Sequence, residues 1–277
     1  MLRKQTFIFL FVFGLVALYF PIHVYSETFF KKTECQLHAD FNRVLPTPGW
    51  DNESNDIWTL TVEHFSEWKY GDTFLFMDLE TKPTFRETPD TMYFEIAPRF
   101  SLDKILKQKL VPSNFLGEVY MAFQYNGADV DFIGTSWLGG VSIDFLGQPN
   151  YGFSNLSLYV KDSNRKKAFV DALNCYQNDT SWQVTFVWGQ PFSLGPLQME
   201  FNGFLDYWQE NSLFIKDKTY QILLTEPQLR LKLSSFTGKD HFLSNSVVGT
   251  EIEISYHFFD ENDEWRINPT LFFAVVF

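Results

Sequence analysis

The sequence is poor in cysteine and in basic residues. Only two cysteines, Cys35 and Cys175, occur in 277 residues, which is too few for a disulfide framework. The 22 lysines and arginines are outnumbered by 34 acidic residues, so the net charge is −12 and the chain is a poor match for a nucleic-acid backbone. Beyond residue 20, no apolar run is long enough for a transmembrane helix. These absences exclude a disulfide-stapled mini-domain and a helical membrane protein, and they disfavour a nucleic-acid partner.

Motifs of common enzymes are also missing. The chain has no phosphate-binding Gly-x-x-x-x-Gly-Lys-Ser/Thr loop and no Gly-x-Ser-x-Gly elbow. Its five histidines are scattered and indicate no metal site. Ser255 and His257 share one face of a predicted strand, but such neighbours point in parallel and form a poor nucleophile–base pair. We therefore expect no cofactor, no metal and no catalytic residue, and an enzyme is the least favoured class.

The first 26 residues have the three parts of a secretory signal. Arg3 and Lys4 precede an apolar run from Phe7 to Phe20, and Val24-Tyr25-Ser26 supplies a permissive cleavage site. We predict a signal peptide at residues 1–26, cut before Glu27, and one domain at residues 27–277. An uncleaved N-terminal anchor is the disfavoured alternative, because the apolar run is short for a membrane span.

Aromatic residues are unusually abundant for a chain that is not hydrophobic overall. They make up 19% of the sequence, with 32 phenylalanines, while the mean hydropathy is −0.15. Many aromatic side chains beside many polar ones suit a barrel with a lipid-facing skin and a wet interior.

Apolar and polar residues alternate with a period of two along the whole mature chain, as in β-strands. Charged residues identify the inner face of each strand, because a charge that faces lipid is costly. Asp78 and Glu80 thus place Phe74 and Phe76 in the lumen, and the intervening leucines and methionine face lipid. The predicted strands contain residues 35–42, 58–65, 74–80, 92–100, 118–124, 141–145, 156–161, 182–188, 198–206, 228–233, 251–258 and 265–277. We therefore predict an all-β fold, a transmembrane antiparallel β-barrel of about 12 strands after a cleaved signal peptide.

A soluble β-sandwich would also alternate, so the C-terminal strand carries the distinction. It ends at Phe277, with Leu271, Phe273 and Val275 on the same face. A terminal phenylalanine of this kind resembles the signal that the outer-membrane assembly machinery recognises. We expect that machinery, outer-membrane lipid and lipopolysaccharide as partners, and the bacterial outer membrane as the location. Both chain ends would then be periplasmic, with Cys35 near that rim and Cys175 in an extracellular loop, which predicts no intramolecular disulfide.

Several segments resemble the Tsx family of nucleoside-specific outer-membrane channels. The strongest is Phe94-Glu95-Ile96-Ala97-Pro98-Arg99-Phe100-Ser101, which is similar to a Glu-Ile-x-Pro-Arg-Phe-Ser run of that family. Further similar segments are Tyr70 to Asp78, Gly139 to Asp144 with Asn155 to Tyr159, Trp182 to Thr185, and Phe201 to Asp206. The resemblance covers most of the mature chain, apart from the first strand and the extracellular loops. It implies a monomeric barrel of twelve strands and passive uptake of nucleosides.

The inward faces combine aromatic rings with carboxylates, which suits a solute with a flat base and a hydroxylated sugar. Aromatic faces stack on a base without reading its identity, and carboxylates accept hydrogen bonds from hydroxyl groups. The predicted substrate-binding residues of the lumen are Glu63, Phe65, Phe74, Phe76, Asp78, Tyr93, Glu95, Phe204 and Asp206. We expect weak binding, on the order of −4 kcal/mol per site, because a channel must also release its solute.

Other functions fit the same pattern. The lumenal charges Glu95, Arg99, Arg230, Glu251 and Glu253 would, in the simplest interpretation, pair with each other and stiffen the wall. A general small-solute porin and a plugged structural barrel are then the alternatives, ahead of an outer-membrane barrel enzyme.

Overall fold

The protein is a closed antiparallel β-barrel in a computed structural model that describes residues 28–44, 54–81, 91–129, 134–145, 152–165, 170–171, 178–212, 218–237, 241–258 and 263–277. The strands are Thr28–Val44 (β1), Ser54–Trp68 (β2), Gly71–Thr81 (β3), Thr91–Ser101 (β4), Leu116–Ala128 (β5), Thr135–Phe145 (β6), Phe153–Asn164 (β7), Asn178–Leu194 (β8), Leu197–Asn211 (β9), Thr219–Thr225 (β10), Gln228–Lys232 (β11), Ser246–Tyr256 (β12) and Trp265–Val276 (β13). A short helix, Leu102–Leu106 (α1), and a 3-10 turn, Leu233–Ser235, complete the described elements. No helix among these residues is long and apolar enough to cross a membrane.

Sequential strands pair with each other, and β1 closes the barrel by pairing with β13. Strands β10 and β11 both pair with β9 and with β12, so they are two halves of one barrel strand, and the barrel has twelve strands. The predicted fold class is confirmed. We call the end where β1 begins the base and the opposite end the mouth.

Pro227 explains why the split strand is interrupted. Proline has no N–H to donate to a ladder, so it occurs at edges and irregularities of sheets. The backbone N–H of Glu226 donates to Phe204 O (3.2 Å), and that of Ile252 donates to Pro227 O (3.1 Å), which keeps the break inside the sheet. The sequence analysis predicted the half after the proline and missed the half before it, Thr219–Thr225.

Side-chain faces follow the predicted alternation. On β1, Glu34, Gln36, His38 and Asp40 line the interior, whereas Cys35 lies on the other face with Leu37. Apolar side chains on the outer surface are exposed: Leu60, Ile96, Met121, Phe123, Val141, Leu158, Val160, Phe201, Leu229, Leu271 and Phe273. An exposed apolar skin around polar inner faces is the arrangement of a transmembrane barrel. Residues 1–26, the predicted signal peptide, and Cys175 lie outside the described residues.

Glycine allows a close backbone contact between β6 and β7. A Cβ atom added to Gly140 of β6 would lie 1.9 Å from the carbonyl oxygen of Leu158 on β7, so no larger residue fits there without moving backbone. At the base, Gly195 has φ +60° in the two-residue turn between β8 and β9, a conformation that glycine adopts at little cost.

Candidate functional site

The interior of the barrel is one cavity of about 2120 Å³, and inward-facing side chains of every strand line it. All nine side chains proposed from the sequence lie on its wall: Glu63, Phe65, Phe74, Phe76, Asp78, Tyr93, Glu95, Phe204 and Asp206. Their position in the lumen agrees with the predicted alternation, whereas their contact with a solute remains a prediction.

Aromatic rings form a continuous group on the wall made by β2, β3 and β4. The ring centroids of Phe74 and Phe76 are 6.0 Å apart, and those of Phe76 and Tyr93 are 5.7 Å apart. Phe65 lies directly opposite Phe74 in the β2–β3 ladder. These spacings are typical of aromatic pairs, so the rings support one another while lining a polar cavity. Phe204 is on β9, on the facing part of the barrel.

Carboxylates interleave with this aromatic group because the ladders place them side by side. Glu63 and Glu95 are the cross-strand neighbours of Phe76 on its two sides, and Asp78 is the neighbour of Tyr93. The hydroxyl of Thr61 donates to Asp78 at 2.6 Å. Glu95 accepts from the Tyr93 hydroxyl and from Gln124 Nε2, the latter at 2.7 Å.

Asp206 is held in the same way on the facing wall. The hydroxyl of Thr185 on β8 donates to its carboxylate at 2.5 Å. Both walls therefore present carboxylates that are oriented by neutral donors and keep acceptor capacity for a further group.

The arginines of the lumen lie towards its two ends and are paired there. At the base, Arg99 donates from Nε and Nη2 to Asp72 at 2.9 and 2.7 Å and from Nη1 to Asp144 at 2.8 Å. Its guanidinium also lies 4.3 Å from the ring centroid of Tyr120, a cation–π contact. This fork-shaped pairing ties β3, β4, β5 and β6 together.

Arg43 links several strands at the mouth in the same way. It reaches Glu80 on β3 and Glu253 on β12, both at 2.8 Å, and Asp40 on its own strand at 3.5 Å. Three strands of the mouth are thereby linked through one guanidinium.

Arg230 is the most buried charge of the wall. It pairs with Glu34 of β1, and each of the two side chains is 2% exposed. Gln228 accepts from Nη1 at 2.7 Å, and Glu200 lies 3.5 Å from Nε. Arg99, Arg230 and Glu253 therefore form ion pairs, as the alternative interpretation of the lumenal charges expects, whereas a stiffening role stays a prediction. Glu95 and Glu251 do not take part in any arginine or lysine ion pair among the described residues.

Two functional features were missed by sequence reasoning. Arg43 was not singled out, because nothing in its own segment shows that it reaches two other strands. Glu226 lines the lumen next to the strand break, and continuing the alternation backwards from Gln228 would have found it. Within the described part of the chain, no group of three or more His, Cys, Asp or Glu residues is arranged to hold a metal ion.

The fold and this lining define a class, a transmembrane β-barrel with a polar, aromatic-rich lumen. Residues 32–277 match the family described as Domain of unknown function (DUF5020), and the chain belongs to that family. No curated protein matches the sequence.

Solved structures of outer-membrane barrels match most of this chain at low sequence identity. A KdgM porin has 7% identity and a TM-score of 0.43, and the alignment covers 89% of this chain and 99% of that one. KdgM porin in complex with disordered oligogalacturonate has 6% identity and a TM-score of 0.41, and the alignment covers 89% of this chain and 99% of that one. OpdQ of Pseudomonas aeruginosa has 8% identity and a TM-score of 0.34, with coverages of 89% and 96%. These values are too low to transfer a solute or a function.

Proposed function

We propose that this chain is a bacterial outer-membrane channel, not an enzyme, and that it carries small polar solutes by passive diffusion, nucleosides above all. The observation that supports the solute class is the group of Phe74, Phe76 and Tyr93 in the lumen, with Glu63, Asp78 and Glu95 as their cross-strand neighbours. Rings on a water-facing wall gain little from water, so a flat solute that covers them is stabilised by stacking.

Carboxylates beside the rings supply the second half of the recognition. A nucleoside carries ribose hydroxyls, which donate to carboxylate oxygens while the base lies against an aromatic face. Glu95 and Asp206 already receive one or two internal hydrogen bonds, which fix their direction and leave lone pairs free. Uncompensated carboxylates would repel a phosphate, so nucleosides fit this lining better than nucleotides do.

The test is permeation through liposomes that contain purified, refolded protein. Thymidine and adenosine are compared with a hexose and an amino acid of similar size. We expect faster swelling with the nucleosides and a several-fold loss of that advantage in Phe76→Ala. Phe123→Ala removes the same side chain from the lipid-facing surface and serves as the control, because it should leave the order of the solutes unchanged.

Each result decides between the candidate functions. Equal rates for all solutes would replace the nucleoside channel by a general small-solute porin. Absence of swelling with correctly folded protein would favour the plugged structural barrel, in which the arginine-linked mouth and the base loops close the lumen.

The partners of the barrel follow from its surface and its last strand. We propose that outer-membrane lipid and lipopolysaccharide cover the exposed apolar skin, that the protein is a monomer, and that the assembly machinery recognises β13 with its terminal Phe277. Phe277 pairs with Thr33 through both backbone hydrogen bonds, at 2.8 and 3.3 Å. Deleting Phe277 should lower the fraction of protein that reaches the outer membrane without changing its synthesis, and unchanged assembly would refute this role.

A further inference from the structure

Six acidic side chains line the lumen but stand apart from its ion pairs. They are Glu63, Asp78, Glu95, Asp206, Glu226 and Glu251. None of them is in an ion pair with a lysine or arginine among the described residues, and only Glu251 has a histidine nearby, with His38 Nδ1 at 3.7 Å. We call these six residues the carboxylate belt.

The carboxylate belt spans the lumen from wall to wall. Glu95 is on β4 and Asp206 is on β9, five strands away in a barrel of twelve, and both line the same cavity. Asp78 on β3 and Glu226, which follows β10, are also five strands apart and line it too. Acidic side chains therefore lie on opposite walls of the cavity, and a solute inside has belt residues on both sides.

Basic residues that could compensate this charge are engaged elsewhere. Arg43, Arg99 and Arg230 each pair with two or more carboxylates outside the belt. Lys161 and Arg165 share Glu210 near the mouth. The ion pairs of these basic side chains are therefore made with acidic residues outside the belt.

A second and independent feature at the same level also favours a positive solute. The side chains of Phe76 and Tyr93 line the cavity, with belt residues as their cross-strand neighbours. Aromatic faces attract cations through the ring quadrupole, and rings combined with carboxylates form the common surface for organic ammonium groups. Lys161, whose ammonium lies 4.3 Å from the ring centroid of Trp208, shows the same pairing inside this lumen.

We infer that the carboxylate belt is a cation filter: among solutes small enough to pass, the channel favours those that carry an ammonium group and rejects anions. This inference deepens the proposed channel function and rests on it. Rings of Asp and Glu side chains are the usual basis of cation selectivity in pores, and a lining of one sign raises the local concentration of the opposite charge by a factor of about 10 or more.

The experiment uses three hexoses of nearly equal size: glucosamine, glucose and glucuronate, at pH 7 and low salt, with the full-length protein in liposomes. Since the three sugars are of nearly equal size and differ in charge through one ammonium or one carboxylate group, the expected order is glucosamine, then glucose, then glucuronate, with about a 10-fold spread between the ends. In the double variant Glu226→Gln, Glu251→Gln, which changes two belt residues outside the predicted nucleoside-binding set, the three rates should converge while glucose permeates as before. A planar bilayer under a KCl gradient should show a cation-selective reversal potential that moves towards zero in the double variant.

Glu67→Gln provides the matched control. Glu67 also lines the lumen, but at the base, where its carboxylate is 3.4 Å from the ammonium of Lys104. The substitution Glu67→Gln removes one formal charge outside the belt, so the order in which the three hexoses permeate should persist. A heat-sensitive shift in gel mobility confirms that each variant is a folded barrel.

The outcomes separate the two proposals. If glucose passes but the three hexoses permeate equally, or if Glu67→Gln abolishes the order as fully as the double variant does, the filter is refuted and the channel stands. If no hexose and no nucleoside passes through folded protein, the channel is refuted and the filter with it.

Discussion

Arg230 offers the strongest test of what holds the barrel wall together. Its guanidinium is 2% exposed and contacts Glu34, Glu200 and Gln228, so that β1, β9 and β11 meet at one side chain. Removing one partner of a buried ion pair costs about 3–5 kcal/mol when the other charge loses all compensation, but Glu34 keeps Lys32 at 3.0 Å and Glu200 keeps Lys232 at 2.7 Å, so a cost of about 3 kcal/mol applies here. We therefore expect Arg230→Met to lower the free energy of unfolding by about that amount.

A double variant separates the buried charge from the lost packing. In Arg230→Met, Glu34→Leu both charges are gone, so most of the loss should be recovered, because replacing a whole buried pair with apolar residues is often close to neutral. Lys232→Met is the control at the same place. Lys232 is 38% exposed and lies 2.7 Å from Glu200, and an exposed pair of this kind contributes at most about 1 kcal/mol.

The assay is urea unfolding in lipid vesicles, followed by tryptophan fluorescence and by gel mobility. If Arg230→Met costs less than about 1 kcal/mol, or if the double variant is as unstable as the single one, the wall does not depend on this pair. Either result would mean that lumenal water screens the guanidinium despite its small exposed area.

Three further predictions concern packing, faces and pH. Gly140→Ala should destabilise the barrel in the same urea assay by about 1–3 kcal/mol, because the added Cβ would overlap a backbone carbonyl of β7; an unchanged midpoint would contradict this contact. In a cysteine-free background, a water-soluble maleimide should label Phe76→Cys and spare Met77→Cys, and the reverse pattern would show that the faces are assigned wrongly. Hydrogen bonds from His257 and then Tyr256 hold the pKa of Asp263, outside the spanning strands, below its usual value. A lowered pKa in the folded state contributes stability above the unfolded pKa, and this contribution is lost as the pH falls through the folded pKa. An NMR titration of Asp263 should therefore show a low midpoint that rises in His257→Gln, and an unchanged midpoint in that variant would refute the contact.

The sequence predicted the faces of the strands well where a charge marks the inner side. Asp78 assigns Phe74 and Phe76 to the lumen because side chains alternate strictly along a strand. The segment Thr219–Thr225 carries no charge at all, and its inner residues are the apolar Tyr220, Ile222 and Leu224. Without a charged residue, alternation does not distinguish the inner from the outer face, so this half-strand was overlooked.

Partners across the lumen could not be predicted, because they depend on how far the strands are staggered around the barrel. Arg43 is adjacent in the ladder to Asn55, yet its guanidinium reaches Glu80 and Glu253, each two strands away. The closed geometry also places Glu95 of β4 and Asp206 of β9 on opposite walls of one cavity. Alternation along each strand therefore determined which residues line the lumen, whereas the closed geometry determined which of them meet.

Side-chain length accounts for the separation of paired and unpaired charges in the lumen. A guanidinium on a long stem reaches carboxylates two strands away, so Arg43 and Arg99 link several strands near the ends of the barrel. The short carboxylates of Glu95 and Asp206 remain near their own strands and receive neutral donors from neighbours. The two groups should therefore respond differently to substitution. Neutral replacements in the carboxylate belt should alter permeation with little loss of stability, since no ion pair is broken, whereas replacements of the arginines should destabilise the wall before they change the order of the solutes. If both kinds of variant changed stability and permeation in proportion, the lumen would behave as one continuous electrostatic network and the distinction between wall and pathway would fail.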